Sequence, residues 1–485
     1  MCLHRPVKFG VFYEHQMGRP WADGAEHRLL QAALEEVELA DSLGFDYVWE
    51  VEHHFLEEYS HSSAPEVFLA ACSQRTSRIR LGHGVVLTAP PFNHPARVAE
   101  RIATLDLLSS GRVDFGSGES SSEAELAGFQ IDPARKRDAW LEGLETALRC
   151  MVEVPFTGVD GEYVQMPPRN VVPKPLQKPH PPLWVACSRR ETILLAASKG
   201  IGALTFAFID PEEARTWVSE YERVLASDCL PVGWAVNPQV ACVSPMMVHH
   251  DEEEAIRRGV EGANFFGYSL GHYYVFGTHR PGRTNVWAEY TERRAAQGFD
   301  PDAVIRAREA GEASAGGEDA VRHGGRSSAS AGRAENERLG AKVAAGDSTG
   351  LRGCIGTPDQ ARQYLRRYEE AGVDQVIFVL QAGRNEHEHI MESLELFGRE
   401  VLPEFAERDP GLTAAKHERL APLVEAALAR KAEQDRPREL GDYEFPAIPR
   451  QWADASGSAE MRDWLDRFAD DRAAGRRDPS AGIAG

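Results

Sequence analysis

The feature that most restricts this chain is an alternation of short apolar runs with stretches that are apolar at helical spacing. Val7–Phe12 reads as a strand. Glu26–Leu43 then carries Leu29, Leu30, Ala33, Leu34, Val37 and Ala40 on one helical face, and Gly44 stops it. Seven further strands are expected at Tyr47-Val48-Trp49, Ile79–Leu87, Val113–Gly116, Leu183–Ala186, Ala203–Phe206, Val240–Val248 and Gln375–Leu380. Helices are expected over Pro95–Leu108, Asp138–Val152, Glu191–Lys199 and Pro211–Leu225. Asp210-Pro211-Glu212-Glu213 and the capping-box pattern Thr357-Pro358-Asp359-Gln360 mark helix starts. Repeated βα units imply a parallel sheet. Eight of them fit a closed α/β barrel, the (β/α)8 or TIM barrel, whose chemistry sits on the loops after the strand C-termini.

Two regions fall outside that pattern. Gly311–Gly350 contains no Phe, Trp or Tyr and is rich in Ala, Gly, Ser and charge. Such a segment cannot bury enough apolar surface to offset its ordering entropy. It sits before the eighth strand as a long low-complexity insertion, either a neutral one or part of a lid spanning Tyr268–Gly350. After about Phe405 the chain turns into a charged, partly helical extension, with an Ala-rich stretch near Leu423–Ala432 and a short helix at Ser458–Ala469. The expected organisation is a barrel over residues 1–405, with 300–350 as a flexible insertion or lid, and a C-terminal extension over 406–485.

Charge removes two function classes. With 54 Lys+Arg against 75 Asp+Glu, the formal net charge is −21. Nucleic-acid binding and docking on anionic membranes both draw on basic surfaces, so neither is expected. No run approaches the ~20 apolar residues of a membrane helix. The first residues lack signal-peptide architecture. The seven cysteines form no Cys-x-x-Cys motif. Together these point to a reducing, cytoplasmic setting and to no metal site.

The candidate chemistry lies on predicted strand ends. Trp49-Glu50-Val51-Glu52-His53-His54-Phe55 puts two imidazoles and acids after the second strand, where a His can act as acid or base. A hydrogen-bonded structural pair is the plainer reading. Adjacent residues on an extended chain face opposite ways, which argues against one metal ion shared by His53 and His54. Phe115-Gly116-Ser117-Gly118-Glu119-Ser120-Ser121-Ser122 follows the fourth strand as either a phosphate-binding or a merely flexible loop. Ala186-Cys187-Ser188-Arg189-Arg190-Glu191-Thr192 opens a helix, with Ser188 and Glu191 in a capping-box pattern and a possible anion site at the same end. Gly82 and Gly84 in the third strand suit either a flat ligand close to the backbone or a bulge. Cys187 reads as a small buried apolar residue, and nothing in the sequence marks it as reactive.

Taken together, these motifs resemble the bacterial luciferase-like family of flavin monooxygenases from about Val7 to Phe405, the low-complexity segment excluded. The carrying residues are Lys8-Phe9-Gly10, Gly44–Trp49 leading to Glu52-His53-His54-Phe55, Gly82-His83-Gly84, His94–Glu100, Ser110–Gly116, Pro182–Ala186 and Ile355-Gly356-Thr357-Pro358. The resemblance implies a barrel that binds reduced FMN. O2 then forms a C4a-(hydro)peroxyflavin, which oxygenates a small aldehyde, ketone or alkene. It implies His53 as the catalytic histidine and His54 as its neighbour at the reacting centre. It places a non-prolyl cis peptide at Gly84-Val85, and cofactor contacts at Gly84, Val85, Gly118, Glu119, Ser120, Cys187, Ser188, Arg189 and Thr192. It further implies a separate NAD(P)H:flavin reductase and a homodimer formed through helices beside strands two to four.

The chain departs from that pattern. The luciferase α chain has a reactive Cys at the place of Gly118, a phosphate-binding Arg at that of Glu119 and a Glu at that of Cys187. Light emission is therefore not implied, and Arg189 or Arg190 is the expected substitute for the missing phosphate ligand. Two alternatives stand beside the monooxygenase: an F420-dependent oxidoreductase and a flavin-binding protein without turnover. Phe12, Phe55, Phe206, Phe208, Phe265 and Phe266 are pocket candidates, each more often core than pocket.

Overall fold

In the computed structural model the described residues are 7–205, 211–296 and 353–435, with a few more between 440 and 467. Eight parallel strands close into a ring: β1 Lys8–Tyr13, β2 Tyr47–Glu50, β3 Arg80–His83, β4 Val113–Gly118, β5 Leu183–Cys187, β6 Gly202–Thr205, β7 Val240–Val248 and β8 Gln375–Val379. Each pairs with its sequence neighbour, and β8 pairs with both β7 and β1, Phe9 standing opposite Val376. The chain is the expected (β/α)8 barrel.

Helices α1 (Ala25–Leu43), α2 (Pro65–Arg75), α3 (Pro95–Leu108), α4 (Glu123–Gly128), α5 (Lys136–Val152), α6 (Arg190–Ser198), α7 (Pro211–Asp228), α8 (Glu252–Gly271), α9 (Val286–Ala296), α10 (Pro358–Ala371), α11 (His387–Glu400) and α12 (Leu402–Gln434) follow the strands in chain order. The Thr357–Gln360 capping box forms at the start of α10. The Ser188–Glu191 box does not: Arg189 is the N-cap of α6, with no side-chain bond. The expected strand Ile79–Leu87 is broken, because the Gly84-Val85 peptide is cis and only Val86–Leu87 resumes pairing, with β4. Phe206, Phe208, Asp210 and Gly311–Gly350 lie outside the described residues.

Large aromatics fill the barrel interior. Trp49 and Trp184 meet edge to face, their ring centroids 5.3 Å apart, and Tyr47 stacks on Trp49 at 5.9 Å. Glycines on adjoining strands make the room. A Cβ on Gly82 would lie 2.3 Å from the Trp49 ring, and one on Gly202 would lie 2.7 Å from Trp184. Gly82 thus serves core packing rather than the close approach of a flat ligand, and the third strand's first glycine is explained without a bulge.

The N-terminal end of the barrel is covered by α12. Lys416 on α12 is buried, hydrogen-bonds the Pro238 carbonyl at 2.9 Å and pairs with Asp374, which precedes β8. Lys8 bridges Asp46 and, at 2.8 Å, Asp409 of α12. The expected division at 405/406 therefore runs through a helix packed on the barrel. The compact units separate at Arg436/Pro437.

Candidate active site

Opposite α12, the strand C-termini converge on His53. Three residues beyond β2, the His53 amide donates to the Ser62 carbonyl at 2.7 Å. That bond anchors the loop that presents the ring, which is 18% exposed. Its Nδ1 lies 3.0 Å from Glu125 Oε1. Its Nε2 lies 3.7 Å from Glu14 Oε2, beyond hydrogen-bond reach but within ion-pair distance. The Tyr274 hydroxyl stands 3.3 Å from Nδ1.

Each carboxylate is built in from a different element. Glu14 follows β1 directly and accepts from the Tyr59 hydroxyl at 2.8 Å, while its Oε2, facing His53, has no hydrogen-bond partner. Glu125 sits in the short helix α4. It accepts from the His54 amide at 2.9 Å and from the Ser120 hydroxyl at 2.6 Å, besides His53.

Burial and charge set the protonation. Burial opposes a charged His53, but Glu14 and Glu125 outweigh it and raise the imidazole to about 9. Burial raises the Glu14 carboxyl to about 7, against the pull of His53 and Tyr59. Glu125 is held below the usual carboxylate range: burial would raise it, and His53, with the Ser120 hydroxyl and the His54 amide, prevails. Near neutral pH, His53 is an imidazolium between one firm carboxylate and one poised to take a proton. This pair can hold and pass a proton at a barrel mouth.

His54 turns the other way, its Nε2 3.2 Å from Glu52 Oε1 and its ring edge-on to Phe129 at 4.9 Å. The two histidines do not share a ligand position, and no cluster of metal-binding side chains occurs among the described residues.

The expected cofactor residues divide into two groups. Gly84 and Val85 form the cis bond after β3. Gly118 is buried in β4, and a Cβ there would meet Val85 Cγ2 at 2.5 Å, so its smallness accommodates Val85. Cys187 ends β5. It is wholly buried in the strand–helix layer, its thiol donates to the Val185 carbonyl at 3.4 Å, and burial pushes that thiol well above the ordinary range. Its side chain packs in the core, and burial disfavours the thiolate.

The second group lies where the loops after β4 and β5 approach. Ser120 has a positive φ of 58°. Glu119 pairs with Arg137 at 3.0 Å and stands 3.6 Å from Lys136 Nζ. Lys136 Nζ also bonds the Ser120 carbonyl and, at 3.2 Å, the Ser121 hydroxyl. Arg189 acts on Lys136 across the gap. Ser188 is exposed, and the Thr192 amide donates to the Arg189 carbonyl at 3.1 Å. Arg190 pairs with Glu220, 2.5 Å from Nε, whereas Arg189 is the one of the two expected substitutes whose charge acts on Lys136.

Among the pocket candidates, Phe12 and Phe265 are interior core, Phe266 packs on Tyr59 at 5.6 Å and Phe55 is exposed. Sequence reasoning missed Glu14, Tyr59, Glu125, Lys136, Arg137 and Tyr274. Glu14 could have been found, since it follows the first strand immediately. The others carry no local signal.

Comparison with known proteins follows the same line. The family model for luciferase-like monooxygenases matches residues 7–375. The oxygenase component of a flavin-dependent trigonelline monooxygenase from Acinetobacter baylyi is 27% identical over 54% of this chain and 71% of its own. The chain spans about half the length of the first curated relatives it matches. Two solved structures share the fold. The oxygenating constituent of 3,6-diketocamphane monooxygenase from Pseudomonas putida, in complex with FMN, covers 82% of this chain and 98% of its own at a TM-score of 0.57 and 19% identity. The F420-dependent tetrahydromethanopterin reductase from Methanopyrus kandleri covers 82% and 99% at 0.52 and 19%.

Proposed function

The chain belongs to the luciferase-like monooxygenase family, and from that premise we propose that it is the oxygenase of a two-component system that uses reduced FMN and O2 to oxygenate a small organic substrate. The observation that carries this reading is the His53 ring set between the Glu125 and Glu14 carboxylates at the barrel mouth, 3.0 and 3.7 Å away. A proton device of this kind is superfluous in a protein that only stores a flavin.

The donor set fits FMN. Lys136, Arg137 and Arg189 offer cations to a terminal phosphate, and Gly84-Val85 offers backbone and an apolar face to the ring system. When bound, reduced FMN supplies two electrons, so that one atom of O2 enters the substrate and the other leaves as water. The protein's part is orientation, water exclusion and proton management. His53 holds a proton at Nε2, facing the Glu14 carboxyl at ion-pair distance, and Glu125 fixes the ring through Nδ1. Tyr274, whose hydroxyl burial raises well above its ordinary range, remains a neutral phenol beside Nδ1. His54, with Glu52, flanks the site.

The reductase that delivers reduced flavin is a separate protein in this reading, as the trigonelline relative's description as an oxygenase component suggests for that system. The reading extends to a homodimer and to the cytoplasm. No described helix is long and apolar enough to cross a membrane.

Anaerobic protein with reduced FMN is mixed with oxygenated buffer, and the flavin's return to its oxidised spectrum is followed. The reading expects reoxidation slower than that of free FMN, with H53A closer to the free rate. Reoxidation at the free rate in the wild type removes the oxygenase reading. The fold likeness to an F420-dependent reductase favours one second reading, hydride transfer with deazaflavin, and titration with F420 is its test.

A further inference from the structure

In a chain of net charge −21, cations drawn together at a barrel mouth need an anion to hold them. Lys136 and Arg137 open α5, and Arg189 caps α6. Lys136 is 17% exposed, and Glu119, 21% exposed, is the carboxylate that reaches it. Both Glu119 oxygens engage Arg137, Oε1 at 3.0 Å from Nη2 and Oε2 at 3.4 Å from Nε. Glu191 and Asp138 also act on Arg137. Burial, with Arg137 and Arg189 nearby, holds the Lys136 amine below the usual lysine range in spite of Glu119. Besides the Glu119 carboxylate at 3.6 Å, this amine bonds the neutral Ser120 carbonyl and Ser121 hydroxyl, and an anion with more charge and more acceptor oxygens would suit it better.

We propose that Glu119 is a resident counter-ion of the cofactor site, held on Lys136 and Arg137 until the phosphate of FMN displaces it. The exchange swaps one anion for another, so the phosphate gains less than it would on unpaired cations. A flavin held in this way is readily released in either oxidation state, which suits an oxygenase that receives its flavin from another protein. The inference rests on the flavin reading above.

Calorimetric titration under anaerobic conditions compares reduced FMN with reduced riboflavin, which lacks the phosphate. E119Q is expected to tighten FMN about tenfold, and K136M to weaken it about tenfold, with riboflavin unchanged in both. Inorganic phosphate should compete with FMN more strongly on E119Q than on the wild type. E119Q keeps a polar side chain at a partly exposed position, and its unfolding curve shows whether the fold is intact. FMN affinity unchanged in E119Q, or FMN and riboflavin shifting together, overturns the counter-ion role. A wild type that binds neither flavin overturns the cofactor reading, and this inference with it.

Discussion

Glu125 and His53 lie 72 residues apart in the chain, and their side chains meet at 3.0 Å. The same Glu125 oxygen accepts the His54 amide, so one carboxylate sets both the charge of the ring and the course of the loop that carries it.

Replacing Glu125 tests both roles. E125Q removes the charge and keeps an acceptor, so the His53 pKa should fall below about 9, because the imidazolium loses an attracting partner. Activity should drop about 10- to 100-fold. E125A, which also strands three donors, should cost about 3 kcal/mol of stability. Imidazole NMR titration and turnover rates together check the outcome. A His53 titration unchanged in E125Q would remove Glu125 from the mechanism.

Two raised groups at the site contribute to the pH dependence of stability, alongside His387, which its bond to Glu36 raises as well. His53, raised to about 9, binds its proton more tightly in the folded chain than in the unfolded one. Its contribution is full below the ordinary 6.5 and is lost as pH rises through about 9. Glu14, raised from 4.5 to about 7, acts with the same sign over a lower window. Stability should therefore decline from pH 6.5 to 9, and H53Q should flatten that decline. Urea midpoints at three pH values suffice, and an equal slope in H53Q would contradict the assignment.

Glycine substitutions rank the close approaches. Gly116→Ala puts a Cβ 2.0 Å from the His83 carbonyl, and Gly82→Ala puts one 2.3 Å from Trp49, whereas Gly84→Ala meets nothing nearer than 3.4 Å. The first two should each lose about 1–3 kcal/mol or more, Gly116→Ala the most because backbone cannot rotate aside. Thermal unfolding of the three variants checks the order.

Glu58 ties the mouth to α9. It is fully buried and accepts the Val286 amide at 2.6 Å, the Trp287 amide at 3.0 Å and the Arg19 amide at 2.8 Å. It therefore caps a helix from a loop some 230 residues away in sequence, at about the strength of a charged cap. E58A should speed amide exchange at Val286 and Trp287 by at least tenfold while leaving the β1 amides unchanged. Uniform exchange across the two segments would show that α9 is held by other contacts.

At the opposite end, Lys416→Met leaves Asp374 buried without its cation. A loss of about 3 kcal/mol is expected, together with earlier proteolysis within α12. Proteolysis patterns like those of the wild type would show that α12 stays docked without this pair.

The sequence by itself determined the barrel and the address of its chemistry. Apolar spacing is a local property, and spacing of two or of three to four residues decides strand or helix before any tertiary contact forms. Eight strands alternating with helices leave few closed arrangements. The strand ends then located His53, His54 and the two Ser/Arg loops. Tertiary structure alone decided what those residues do. Glu125 and Glu14 reach His53 from separate elements, and its charge depends on distance and burial that no linear spacing encodes. At Gly82 and Gly118 the ring of Trp49 and the side chain of Val85 fill the space that a Cβ would take. Cys187 stood at a rim position in the sequence, yet strand alternation turned its thiol into the helix layer. Which side of a strand faces a neighbour, and which charges come within a few ångströms, follow from how β1, β2 and β4 lie against one another.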